Sequence, residues 1–262
     1  MLTLSLAQIL LGAASGSLVG FSLGLVGGGG SILAVPLLVY VVGVSSPHVA
    51  IGTSAVAVAV NAAMGLAGHA RAGNVRWPCA AVFAASGVAG AFGGSVLGRR
   101  VDGQALLAAF AVLMIVVAVL MLRRRDDGGN ASVRLSRTNA PMLVLTGLAV
   151  GTLSGFFGIG GGFLIVPGLV FAAGLPMLDA IGSSLVAVTS FGLTTAGSYA
   201  MAGLVDWGLA AVFVGGGVAG SQIGARAARR LAQKRGALTR VFAALIVVVA
   251  LYMLVRSLNA LG

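Results

Sequence analysis

Apolar runs close to twenty residues long recur along the whole chain, separated by short polar or basic breaks. A hydrocarbon core about 30 Å thick needs about 20 residues of helix, so such runs read as membrane helices. Strands of a membrane barrel would alternate instead. The pattern predicts five segments in the first half, at 3–26, 31–44, 48–70, 78–98 and 104–122. Five more follow at 142–157, 162–175, 179–202, 206–227 and 237–258. Segments two and seven are short, about 21 Å of helix at 1.5 Å per residue. They are predicted to be half-helices that stop inside the protein. The expected fold is therefore all-α and integral to the membrane, polytopic, with about 8–10 membrane segments.

Each short segment begins at a glycine cluster with a proline downstream. The first is Gly27-Gly28-Gly29-Gly30-Ser31 with Pro36, and the second is Gly158-Ile159-Gly160-Gly161-Gly162 with Pro167. A backbone break costs free energy in lipid, where unsatisfied N–H and C=O groups find no water. It is tolerated where it is buried in protein or lines a cavity, so these two clusters are the first candidates for function.

The two halves correspond at an offset near 130. Pro36 matches Pro167, Gly52-Thr53-Ser54 matches Gly182-Ser183-Ser184, Trp77 matches Trp207, and Arg99-Arg100 matches Arg229-Arg230. This divides the chain into a first transmembrane repeat (1–122), a basic linker (123–140) and a second transmembrane repeat (141–262). Duplication of this kind is typical of transporter folds, whose substrate site lies between the repeats near the bilayer midplane. With an odd number of crossings per half, thirteen of the sixteen basic residues fall on one side of the membrane and three on the other. With four crossings they divide equally. The positive-inside rule demands a bias, so the repeats are expected to be inverted, the linker cytoplasmic and both termini outside.

Composition narrows the function. The 262 residues are 59% hydrophobic and 8% charged, with a net charge of +11. The basic residues sit in loops between apolar spans, which fits membrane topology and not nucleic-acid binding. The five acids, Asp102, Asp126, Asp127, Asp179 and Asp206, all lie in or beside predicted loops. A cation pathway would want an intramembrane carboxylate, so an anionic or neutral substrate is favoured. Cys79 is the single cysteine, and no metal-ligand cluster or cofactor motif is present. An intramembrane serine protease would need a Gly two residues before a Ser-Gly pair, which Ser15-Gly16 and Ser154-Gly155 lack. A membrane scaffold or accessory subunit without flux is the alternative to a transporter, and an intramembrane enzyme the less favoured one.

The glycine break with its proline, the Gly-Thr-Ser or Gly-Ser-Ser that follows, and a Gly-x-Val-x-Trp in each half (Gly73 to Trp77, Gly203 to Trp207) together resemble the sulfite exporter TauE/SafE family. The resemblance covers nearly the whole chain. It implies a bacterial or archaeal inner-membrane protein that moves small sulfur- or carbon-containing anions such as sulfite, sulfonates or sulfoacetate.

Helix ends at the glycine clusters would turn free N–H groups and the positive dipole end into the protein, an anion site that needs no charged side chain. The candidate substrate-binding residues there are Gly27, Gly29, Gly30, Ser31 and Pro36, with Gly158, Gly160, Gly161 and Pro167 in the second half. Close packing of small residues is the plainer reading of glycine in a membrane. Hydroxyls could add hydrogen bonds from Thr53, Ser54, Ser183, Ser184, Ser190 and Thr194, unless they bond back to their own helices. Asn61 is the most informative polar residue, because a mid-membrane amide needs a partner. His69 is a candidate for gating or coupling, with an interfacial histidine as the plainer reading.

Overall fold

The computed structural model describes residues 5–123, 139–157 and 162–231, with Leu135, Ser136 and isolated positions between 233 and 251. Gly158, Gly160 and Gly161, most of the basic linker and most of the tenth predicted segment lie outside the described residues.

Every regular element among the described residues is helical. Helix α1 (Leu6–Val26) opens with a capping box, in which Ser5 and Gln8 satisfy each other's backbone N–H groups. Gly27–Leu33 then winds as a 3-10 helix, Ala34–Pro36 makes one α-helical turn (α2), and Leu37–Val41 makes a π-helical turn. Helix α3 (Pro47–Arg71) starts with Ser46 as N-cap and a proline in its first turn, where a missing N–H costs nothing. There follow α4 (Trp77–Gly98), α5 (Gly103–Arg123), α6 (Ala140–Phe157), α7 (Gly162–Ala173), α8 (Met177–Met201) and α9 (Trp207–Leu231). Helices α1, α3, α4, α6, α8 and α9 are long and apolar enough to cross a membrane. This is a polytopic helical membrane protein.

Segment two differs in kind from its prediction as a plain half-helix. The first glycine cluster is itself helical but tightly wound, and Pro36, with no N–H to give, sits where the winding loosens into the π turn. The pitch change has a use. A 3-10 helix rises about 2.0 Å per residue against 1.5 Å for an α-helix, so a short segment covers more depth.

Helices α3 and α8 form the centre and run antiparallel. A Cβ on Gly52, near the start of α3, would overlap the Leu204 carbonyl beyond the end of α8. A Cβ on Gly182, near the start of α8, would overlap the Asn74 carbonyl beyond the end of α3. The outer helices pair across the halves, and each pair runs parallel. In α1 against α9, Gly16, Gly20 and Gly24 sit directly on the carbonyls of Phe213, Gly217 and Ser221. In α4 against α6, Gly147, Gly151 and Gly155 sit on those of Phe83, Gly87 and Ala91. These contacts recur at offsets of 130 or 131 residues. So do the left-handed glycines: Gly43 and Gly174, then Gly73 and Gly203.

Glycine has a packing role here that no other residue could take. Without a hydrophobic drive between helices in lipid, association rests on close van der Waals approach, which a Cβ would prevent. The core between these layers is filled by Phe83, Phe191, Phe213, Leu23, Ile32 and Leu38, all fully buried.

The helix directions define two faces. One, the Arg76 face, carries the end of α3 and the start of α8; the other, the Asp206 face, carries the start of α3 and the end of α8. Arg71, Arg76, Arg226, Arg229 and Arg230 fall toward the first, and Arg99 and Arg100 toward the second.

Candidate functional site

Helix α1 and the broken segment form a hairpin that enters from and returns to the Asp206 face. Its tip is the first glycine cluster. Gly27, Gly28, Gly30 and Ser31 are buried, as are Ile32 and Pro36. Gly27 has φ +65°, and a Cβ there would lie 2.7 Å from both the Ile181 carbonyl oxygen and Ser184 Oγ. Only glycine fits this position on both counts. A Cβ on Gly30 would overlap the backbone of Leu23, so the tip folds back tightly on α1.

A hydrogen bond ties the tip to the second half. Gly28 N–H donates to Ser184 Oγ at 3.0 Å, and Ser184 donates in turn to the Ile181 carbonyl at 2.7 Å. Ser31 Oγ donates to the Gly28 carbonyl at 2.8 Å. His69, fully buried in the last turn of α3, lies with Nε2 3.1 Å from the Gly24 carbonyl, just before the tip. Ser184 lies roughly 10 Å along α8 from its start. The first tip therefore sits toward the Arg76 face and not at the midpoint of α3 and α8.

The hydroxyl pairs do not converge on one point. Thr53 Oγ1 accepts from Asp206 N–H at 2.9 Å near one face. Ser183 Oγ accepts from Arg76 N–H at 2.8 Å near the other. Because α3 and α8 are antiparallel, these positions are separated by roughly 24 Å of helix rise. Ser54, Ser190 and Thr194 donate to the carbonyls of Ile51, Val186 and Ser190 on their own helices, the back-bonding common to Ser and Thr in apolar helices. Pro167 falls inside α7, which is only 12 residues long.

Asn61 is different. It lies midway along α3, is fully buried, and has no hydrogen-bond partner for Nδ2 or Oδ1 among the described residues. Its amide packs against Gly217 of α9, where any Cβ would overlap it. At the position 130 residues on, Phe191 packs against Gly87 of α4. The same groove thus holds an aromatic ring in one half and an amide in the other. Thr195, Ser198 and Tyr199 of α8 also carry buried hydroxyls without partners among the described residues.

Sequence reading alone did not find the ion pair at the Arg76 face. Asp179 is in the first turn of α8, 12% exposed, and its Oδ2 is 2.8 Å from Arg76 Nη2 and 2.9 Å from Nε. Asp206 accepts from Leu209 N–H at 3.0 Å and so caps α9. Both carboxylates have structural partners at helix starts, and neither reaches the middle of the bundle. Their place after Pro176 and before Trp207 was the available signal.

The fold, with its buried, glycine-lined interior, is that of a multi-pass helical membrane protein. The family model for "Sulfite exporter TauE/SafE" matches residues 12–253, and the chain belongs to this family of membrane transporters. A "Probable membrane transporter protein" of Xylella fastidiosa is 49% identical over 259 residues, covering 97% of this chain and 98% of that protein. The "Probable membrane transporter protein YdhB" of Bacillus subtilis is 28% identical over 218 residues, covering 80% of this chain and 86% of its own length. One from Haemophilus influenzae is 29% identical over 206 residues, with 76% and 75% covered. No solved structure matches the chain.

Proposed function

We propose that this transporter carries small anions, sulfur-containing or organic, of the sulfite, sulfonate or sulfoacetate type, by alternating access in a bacterial or archaeal inner membrane. The observation that carries this reading is Asn61. Its amide is fully buried at mid-depth and unpartnered among the described residues, so its N–H groups are free for an oxyanion. A buried amide in this state is costly, and the cost is offset when a ligand accepts its hydrogen bonds. No carboxylate among the described residues lies at this depth to compete, since Asp102, Asp179 and Asp206 all sit at helix ends.

The two halves act as inverted repeats, because the equivalent helices α3 and α8 run antiparallel. The first glycine tip contributes backbone N–H groups from Gly27–Ser31. The Gly28 N–H to Ser184 bond closes the Arg76 side and breaks when that side opens. His69 couples the end of α3 to the same tip. The basic linker is cytoplasmic, which makes the Arg76 face the cytoplasmic one, and the protein is a carrier and not an enzyme.

Proteoliposomes holding purified protein test this with sulfite, thiosulfate and small sulfonates. Saturable flux of at least one of them, abolished by Asn61→Leu, is expected. No flux of any from folded protein points to a non-transporting scaffold. Flux unchanged in Asn61→Leu places the site elsewhere. Gly29→Val and Gly160→Val are expected to insert normally and to lose transport.

A further inference from the structure

The Arg76 face holds a pocket of about 360 Å³ lined by Gly68, Arg71 and Ala72 from the end of α3 and by Gln222, Arg226 and Arg229 from α9. Three arginines from two helices thus line one cavity. None of them has a carboxylate partner among the described residues: Asp179 is paired with Arg76, and Asp206 caps α9 at its opposite end. Gln222 is held in place by its Nε2, which donates to the Met64 carbonyl at 3.2 Å. Its Oε1 lies against Gly68, where a Cβ would stand 3.5 Å away.

Topology and helix dipoles account for an arginine near each helix end. They do not account for the convergence, and the other half of the protein shows this. At the positions 130 residues away, Arg71, Gln222 and Arg226 correspond to Met201, Phe92 and Val96. The scaffold packs at the Asp206 face without any of these polar groups. Arg229 corresponds to Arg99, whose guanidinium is occupied: Nη1 donates to the Ser198 carbonyl at 2.7 Å, and its centre lies 5.8 Å from the Tyr199 ring centroid. In the Arg229 half the ring is replaced by His69, which is turned to the Gly24 carbonyl instead. Arg229 is left to the pocket. Like charges gathered without a counter-charge repel one another, and a guanidinium's planar fork suits a tetrahedral oxyanion.

We propose that this pocket is a binding site for a tetrahedral oxyanion, distinct from the buried region around Asn61. The ligand is a free dianion such as sulfate or phosphate, or the phosphate of an anionic lipid headgroup at the same face. The recognising chemistry is shared, with Arg226 and Arg229 on one side, Arg71 on the other, and Gly68 leaving room between them.

Binding, not flux, tests the proposal, so its failure leaves the reading of the Asn61 region untouched. Wild-type protein in phosphatidylcholine nanodiscs is titrated with sodium sulfate, with ionic strength held constant by sodium chloride, and thermal unfolding is followed. In a second arm the nanodiscs contain phosphatidylglycerol and no sulfate. A saturable rise in Tm with sulfate identifies a free oxyanion. A rise only with phosphatidylglycerol, with that lipid retained in native mass spectrometry, identifies the headgroup. In either case the R71Q/R226Q/R229Q variant loses the response, whereas Arg230→Gln, outside the pocket, keeps it. If the triple variant is not recovered folded, Arg229→Gln alone is expected to weaken the midpoint about tenfold. No response in either arm, or an equal one in wild type and the pocket variants, overturns the proposal.

Discussion

Thr53 and Ser183 do the same work at opposite faces of the protein. Each accepts the backbone N–H of the residue just before the tryptophan that opens the next helix of the other half: Asp206 for Thr53 at 2.9 Å, Arg76 for Ser183 at 2.8 Å. Both hydroxyls are fully buried. The two bonds lock the antiparallel pair α3 and α8 to the loops that precede α4 and α9.

Removing either acceptor leaves a backbone donor without a partner. Thr53→Val and Ser183→Ala are each expected to cost about 1–3 kcal/mol. Thermal unfolding in detergent measures this. Thr53→Ser and Ser183→Thr, which keep the hydroxyl, should recover most of the loss. Equal stability of the Val and Ser variants at position 53 would remove the structural role.

Gly20 and Gly217 meet backbone to backbone where α1 crosses α9. Gly20→Ala forces the helices apart and is expected to destabilise by about 1–3 kcal/mol. Gly93 and Gly215 have open space where a Cβ would go. Alanine there is expected to be neutral or to add up to about 1 kcal/mol through helix propensity. Fluorescence-detected gel filtration after a heat step separates the two groups.

Stability and activity should diverge at Asn61. Replacement by leucine removes a buried amide that has no partner among the described residues, so the folded protein is expected to gain about 1–2 kcal/mol. Flux in proteoliposomes should fall to background in the same variant. A loss of both would assign Asn61 a packing role instead.

The Arg76–Asp179 pair joins the two halves, but Arg76 is 36% exposed and solvent weakens the attraction. A double-mutant cycle with Arg76→Gln and Asp179→Asn is expected to give a coupling of about 1 kcal/mol or less. High salt should reduce it.

His69 holds the end of α3 to the end of α1 through the Gly24 carbonyl. His69→Phe removes this hydrogen bond and is expected to cost about 1–2 kcal/mol, whereas His69→Gln can still donate and should cost less. Melting temperatures of the two variants decide between a hydrogen-bonding role and mere bulk.

Much of this architecture is written locally in the chain. Membrane helices form because a continuous apolar run must satisfy its backbone internally, and that depends on nothing distant. Hence α1, α3, α4, α5, α6 and α8 were legible to within a few residues. What the chain could not show is which partner each polar group finds. Ser184 bonds the first glycine tip, Ser183 bonds Arg76, and Ser190 turns back on its own helix, although the three look alike in sequence. The winding of Gly27–Leu33 as a 3-10 helix was also hidden, since it depends on packing against Leu23 and Ser184. The same holds for Arg71, Arg226 and Arg229, which lie on two helices more than 150 positions apart in the sequence. Only the parallel and antiparallel packing of the two halves brings them to one pocket.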